Sequence, residues 1–341
     1  MLNDSASQLR KRLKTIGLSD PAINAAWPTW WSDDADASSS ARAELRYSIA
    51  RKLGLDPHSL LEDEGAPRFV WKDVARFKHL SGESDAEKWA ITSFGTALGA
   101  ILLAGTNVSS FLKNITASEL RAAVLSSQPY VRLIDLISIC WSVGIPTIHL
   151  RVFPWNRKRM AAMSVRVGGR NAILLGKDSH YPAQIAFYLA HELAHISLDH
   201  LTDESVIVDF ESYPNLNPDP PASFPDPEEA AADAFALEVL TGDPEPVVLP
   251  AAAGGGARSL AKAALGAGAD LQIEPGTLAL CFGYSTGDWA TAIGSLKYIY
   301  SSPKPVWQEV NNIALSQLSL PSLPDDTLQY LKIVLGETLV P

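Results

Sequence analysis

His191-Glu192-Leu193-Ala194-His195 is the segment whose residue types and spacing most directly imply chemistry. On a helix, two histidines four apart lie about 40° apart around the axis and roughly 6 Å apart along it. Both imidazoles then reach one divalent ion from the same face, and Glu192 stands beside them to hold a water at that ion. The preceding residues, Ala186-Phe187-Tyr188-Leu189-Ala190, are apolar, which suits a helix buried at an active site. The chemistry implied is metal-assisted hydrolysis.

Such a site needs a third ligand. His200 is near in sequence, but on a continuous helix it lies about 140° from His195 and about 180° from His191, so it is expected to face away. A better candidate opens the segment Glu229-Ala230-Ala231-Ala232-Asp233-Ala234-Phe235-Ala236. Glu229 and Asp233 lie four apart and share a helix face. Glu229 is the expected ligand, and Asp233 is placed to accept the free ring N–H of a ligand histidine. Glu228 is the rival ligand, turned about 100° from Glu229. Tyr181, His180 and Tyr188 are candidate donors to an oxyanion.

Several elements must position these residues. Pro182 to about Leu201 is the expected helix carrying the two histidines, and Glu228 to Leu240 the one carrying the third ligand. Upstream, Val131–Val143 has helical spacing and closes at Gly144. Ile145–Val152 has the character of a strand. Met163–Val167 and Ala172–Leu175 form a hairpin around Gly168-Gly169-Arg170-Asn171. The prolines between Phe210 and Pro227 exclude helix and central strand there. The expected organisation is a helical N-terminal region over 1–80, an apolar helical connector over 81–128, a hydrolase domain over 129–245, a small-residue linker and a helical C-terminal region over 257–341.

Taken in order, the pieces from 129 to 240 resemble the ImmA/IrrE-type zinc metallopeptidase family. They are the helix running into Gly144-Ile145-Pro146, the hairpin Ser164 to Leu175, Leu189-Ala190-His191-Glu192-Leu193-Ala194-His195, and Glu229-x-x-Ala232-Asp233-x-Phe235-Ala236. The resemblance covers about a third of the chain. It implies an α+β, mostly helical fold, with a zincin-like domain whose small β-sheet packs on the motif helix. It also implies zinc, with manganese as the alternative ion, held by His191, His195 and Glu229, with Glu192 as general base. Members of that family cut a helix-turn-helix repressor and so switch on stress or mobile-element genes. The long proline-rich insertion before Glu229 departs from the family pattern and leaves Glu228 and Glu229 both open as the ligand.

Composition narrows the setting. The 341 residues are 47% hydrophobic, enough for a sizeable core, and the net charge is −10. That charge argues against a chain-wide nucleic-acid footprint. Ile49 to Leu61 resembles part of a phage-repressor helix-turn-helix, but Glu62, Asp63 and Glu64 follow it and would repel phosphate. Two distant cysteines, Cys140 and Cys281, imply buried reduced thiols and a cytoplasmic setting rather than a disulfide framework. Trp89–Thr106 is the most lipid-like stretch, and its Thr, Ser and Gly content makes it a buried helix rather than a membrane span. The competing functions are a DNA-binding regulator with a structural metal and an antitoxin-like or scaffolding protein. Metal analysis of the purified chain should find about one divalent ion per molecule. His191→Ala and His195→Ala should each abolish it; unchanged occupancy in both would mean the site lies elsewhere.

Overall fold

The computed structural model describes residues 5–62, 65–71, 75–78, 84–107, 114–155, 160–202, 205–210, 226–249, 255–319 and 322–337. The proline-rich stretch and most of the small-residue linker lie outside these residues. Four helices come first: α1 (Ala6–Thr15), α2 (Asp20–Ala26), α3 (Ser39–Leu53) and α4 (Pro57–Leu61). Then follow β1 (Ala75–Lys78), α5 (Asp85–Ala104), α6 (Ala117–Leu125), α7 (Leu133–Ser142), β2 (Thr147–His149), β3 (Met160–Val167), β4 (Arg170–Leu175), α8 (Pro182–Ser197), β5 (Val206–Phe210) and α9 (Pro227–Thr241). The C-terminal helices are α10 (Gly256–Leu271), α11 (Pro275–Thr286), α12 (Trp289–Ile299), α13 (Val306–Gln317) and α14 (Asp325–Val334). The fold is α+β and mostly helical, with one small mixed sheet.

The sheet has the order β1-β5-β3-β4-β2. Its centre is the hairpin β3–β4, which turns at Gly168 and Gly169, both at positive φ (57° and 72°), as a two-residue hairpin turn requires. β5 runs antiparallel to β3, and the two edge strands pair parallel, β1 with β5 and β2 with β4. Two of these strands, β1 and β5, were not expected from the sequence. β5 holds the β-branched run Val206-Ile207-Val208, a recognisable signal. β1 has four residues in a stretch expected to be helical, and its identity depends on pairing with a strand far along the chain. β2 is shorter than the expected Ile145–Val152 strand.

Alternation along the strands sends side chains to two faces. On one face, α5 lies close enough that a Cβ at Gly95 would collide with Met163 Sδ, and one at Gly99 would press on Val165. α5 is thus buried against the sheet, and no helix among the described residues is long and apolar enough to cross a membrane. On the other face, the Ser164 hydroxyl donates to the Glu192 carbonyl at 3.3 Å, which places α8 there. One cluster of buried side chains runs from Leu9 through the sheet to Leu335. A second joins Leu260, Leu278 and Leu296 of α10–α12 to Ala183 at the start of α8. Tyr300 fastens this junction: its hydroxyl donates to Glu274 at 2.9 Å and accepts from the Ala183 N–H at 3.3 Å.

The helix-turn-helix-like stretch packs inward. α4 has five residues, Arg46 donates to the Leu60 carbonyl at 3.0 Å, and buried Lys52 pairs with Asp326 at 2.6 Å. Those two groups are committed inside the fold, while Arg51, also on α3, is half exposed and lies 3.8 Å from Asp326. Both cysteines are buried and free; burial pushes the Cys140 thiol up to about 12 and Cys281 up to about 11.

The sheet's β2 edge is stapled to the C-terminal helices by Asn311. It accepts from the His149 N–H at 2.7 Å and donates to the carbonyls of His149 and Leu335, both at 2.8 Å. The His149 ring is fully buried, with Nε2 2.8 Å from the Lys177 carbonyl and Nδ1 3.1 Å from that of Leu150. Burial pushes this imidazole down to about 4, against the opposing pull of those carbonyls and Asp178. The unfolded chain therefore takes up a proton at His149 that the folded chain refuses. Stability should be lost as pH falls from about 6.5 toward 4. His149→Gln should flatten the fall in urea midpoint between pH 7 and 5; a curve parallel to wild type would show that His149 does not contribute.

Candidate metal centre

α8 carries the motif because its whole C-terminal half is buried between the sheet and α9. Pro182 opens the helix at a position where a missing N–H costs nothing, and Ala183 to Ser197 continue without a breaker. His195 and Glu192 are 0% exposed and His191 is nearly so. α9 starts at Asp226, whose side chain accepts from the Glu228 N–H at 3.0 Å, followed by Pro227. It ends at Gly242 in the left-handed conformation (φ 90°). α9 lies against α8 with Glu229 turned toward the two histidines.

Three donor groups meet there. His191 Nε2 and His195 Nε2 are 3.1 Å apart. Glu229 places Oε2 3.5 Å from His191 Nε2 and Oε1 3.4 Å from His195 Nε2. The ligand atoms of the three residues all lie within 4.8 Å of one another. An ion bound tetrahedrally with bonds of about 2.0–2.1 Å has ligand atoms about 3.3–3.4 Å apart, a spacing the two imidazole nitrogens and the Glu229 carboxylate approach.

The outer nitrogens have hydrogen-bond partners, and for His191 the partner fixes the proton position. His191 Nδ1 lies 2.9 Å from Asp233 Oδ1. A carboxylate only accepts, so Nδ1 carries the proton and the Nε2 lone pair points inward. His195 Nδ1 lies 2.9 Å from His200 Nδ1. With the proton on His195 Nδ1, His200 accepts, and both Nε2 lone pairs aim at one point beside a carboxylate. In that arrangement the three groups offer lone pairs to one point, where a divalent cation would be held by all of them. The residues fit such an ion.

His200 corrects the expectation that it faces away. α8 stops at Ser197, short of the expected Leu201, and Asp199 takes a left-handed conformation (φ 59°). The chain folds back so that the His200 N–H donates to the His195 carbonyl at 2.9 Å, and the ring reaches His195. Arg166 on β3 holds this turn by pairing with Asp199 at 3.1 Å and donating to the Leu201 carbonyl. No glycine marks the turn in the sequence; Asp199 was the available signal, since aspartate tolerates this conformation.

His191, His195 and Glu229 converge, Asp233 meets His191, and Glu192 follows His191 on the buried helix. Glu228 is turned away, with both carboxylate oxygens accepting from Arg76 Nη1 at 3.0 and 2.8 Å. Among the oxyanion candidates, Tyr181 caps the start of α8, stacked on Tyr300 at 5.8 Å. That is about 15 Å along the helix from His191, too far to act there, and His180 precedes it. Tyr284 of α11, which sequence reasoning missed, packs on Phe187 at 5.3 Å, and Phe187 in turn neighbours His191 at 6.3 Å.

Metal affinities should rank the groups. Glu229→Ala should weaken binding far more than Glu228→Ala. Asp233→Ala and His200→Ala, which remove partners of the two imidazoles, should each cost about 10–100-fold. Retention of full affinity in His200→Ala would remove it from the site; loss of metal in Glu228→Ala with retention in Glu229→Ala would reverse the assignment of the two glutamates.

The chain matches no protein-family model, and no curated protein or solved structure is significantly similar to it.

Proposed function

We propose that this chain is a zinc-dependent endopeptidase of the ImmA/IrrE type, hydrolysing a peptide bond in a protein partner. The observation that carries the reading is the convergence of His191 Nε2, His195 Nε2 and Glu229 at 3.1–3.5 Å, with Glu192 on the same buried turn. Two imidazoles and one carboxylate are the ligand set of a catalytic zinc site that keeps a fourth position open. A purely structural site closes all four positions with protein ligands, and among the described residues the cluster has three.

When bound, zinc acidifies a water and polarises the scissile carbonyl. His191, His195 and Glu229 would hold it. Glu192, about 100° from His191 and about 60° from His195 around the helix, accepts the proton of the attacking water at its carboxylate. It then delivers that proton to the leaving amine. Asp233 and His200 hold the two imidazoles from behind, so neither ring must reorient during the reaction. Burial of Glu192 excludes bulk water and strengthens its interaction with charge that develops nearby.

The proposed substrate class is a helix-turn-helix repressor, whose cleavage would derepress stress or mobile-element genes. The inward packing of α3 and α4, with Arg46 and Lys52 committed inside, counts against the alternative of a DNA-binding regulator. Incubation of the purified chain with candidate repressors, with zinc or with manganese and after chelation, tests the activity. Glu192→Gln should keep the metal, because Glu192 is not a ligand, and should lose proteolysis. Full proteolysis by that variant would overturn the mechanism, and absence of metal-dependent cleavage of any repressor would remove the proposed substrate class.

A further inference from the structure

Strand β1 brings a cation to the metal centre from far upstream in the sequence. Residues paired across neighbouring strands point to the same sheet face. Arg76 pairs with Ile207, and Ile207 pairs with Ser164, whose hydroxyl reaches the Glu192 carbonyl. Arg76 therefore lies on the α8 face of the edge strand, while Ala75 and Phe77 point to the α5 face. From there its Nη1 donates to both carboxylate oxygens of Glu228, at 3.0 and 2.8 Å.

Glu228 and Glu229 occupy the first turn of α9, directly behind Asp226 and Pro227. The first turn of a helix is the least constrained by its own hydrogen bonds, so external contacts have the most influence on its orientation. The two carboxylates are chemically equivalent and about 100° apart. A rotation of the first turn by that amount would exchange them at the metal. We infer that Arg76 is a positioning residue: by gripping Glu228 it holds the first turn of α9 in the register that presents Glu229 to His191 and His195. This inference rests on the metal-site reading above. It makes the affinity of the site depend on whether β1 is docked on β5.

The test uses the full chain, zinc as the probe and a chromophoric chelator as competitor, with melting of the metal-free protein measured in parallel. A half-exposed ion pair has a modest effect. Arg76→Ala should weaken zinc binding by about three- to tenfold while metal-free melting stays close to wild type. Glu228→Gln should weaken it similarly, and the double variant by no more than either alone, because both remove one interaction. The exchanged pair Arg76→Glu with Glu228→Arg should recover most of the affinity, which a general loss of packing would not allow. Unchanged zinc affinity in Arg76→Ala, additive losses, or no recovery in the exchanged pair would overturn the inference. Should Arg76→Ala fail to fold, Glu228→Gln and the exchanged pair decide it. A wild-type chain that binds no zinc would instead remove the metal reading itself, and this inference with it.

Discussion

The approach of two imidazole nitrogens to 3.1 Å beside a carboxylate is the constraint that orders the rest of this molecule. With both Nε2 atoms unprotonated, their lone pairs and the carboxylate repel, and burial limits how far solvent can screen them. The arrangement holds because rigid elements impose it. α8 is clamped between the sheet and α9, and its alanines and leucines are buried on either side of the motif. A cation converts the repulsion into attraction. In that case metal binding stabilises the folded chain, since the unfolded chain does not hold these groups together.

The groups that support the three ligands come from separate parts of the chain. Asp233 comes from α9, His200 from the turn after α8, Arg166 from β3 and Arg76 from β1. Asp233 and His200 each meet one of the histidines, Arg76 grips Glu228 beside Glu229, and Arg166 holds the turn that carries His200, through hydrogen bonds or ion pairs of 2.8–3.1 Å and the Arg166 contact to Leu201. The edge strand β1 and the central strand β3 thus hold groups around the candidate site although neither supplies one of its three candidate ligands.

Legibility in the sequence followed the range of the interaction. His191, Glu192 and His195 are readable because one helical period places them, and Glu229 and Asp233 because a second helix repeats the same spacing. The hairpin β3–β4 is local and was readable from its two glycines. β1 was not, because four residues of mixed character become a strand only when β5 lies alongside. His200 was misplaced because helical geometry was extended past the true end of α8 at Ser197, three residues before it. The left-handed Asp199, held by Arg166 from another strand, reverses the chain there, and no local rule contains that contact. Arg76 was invisible for the same reason as β1.

The long stretch of chain between His195 and Glu229 need not decide where Glu229 points. Contacts at the start of α9 and one turn on set its rotation. Arg76 takes Glu228 on one side, and His191 takes Asp233 on the other at 2.9 Å. A helix has one rotational freedom about its axis, and two contacts a turn apart with different partners remove it. Glu229 lies between them in sequence, so its direction is fixed by its neighbours whatever the length of chain that leads to it.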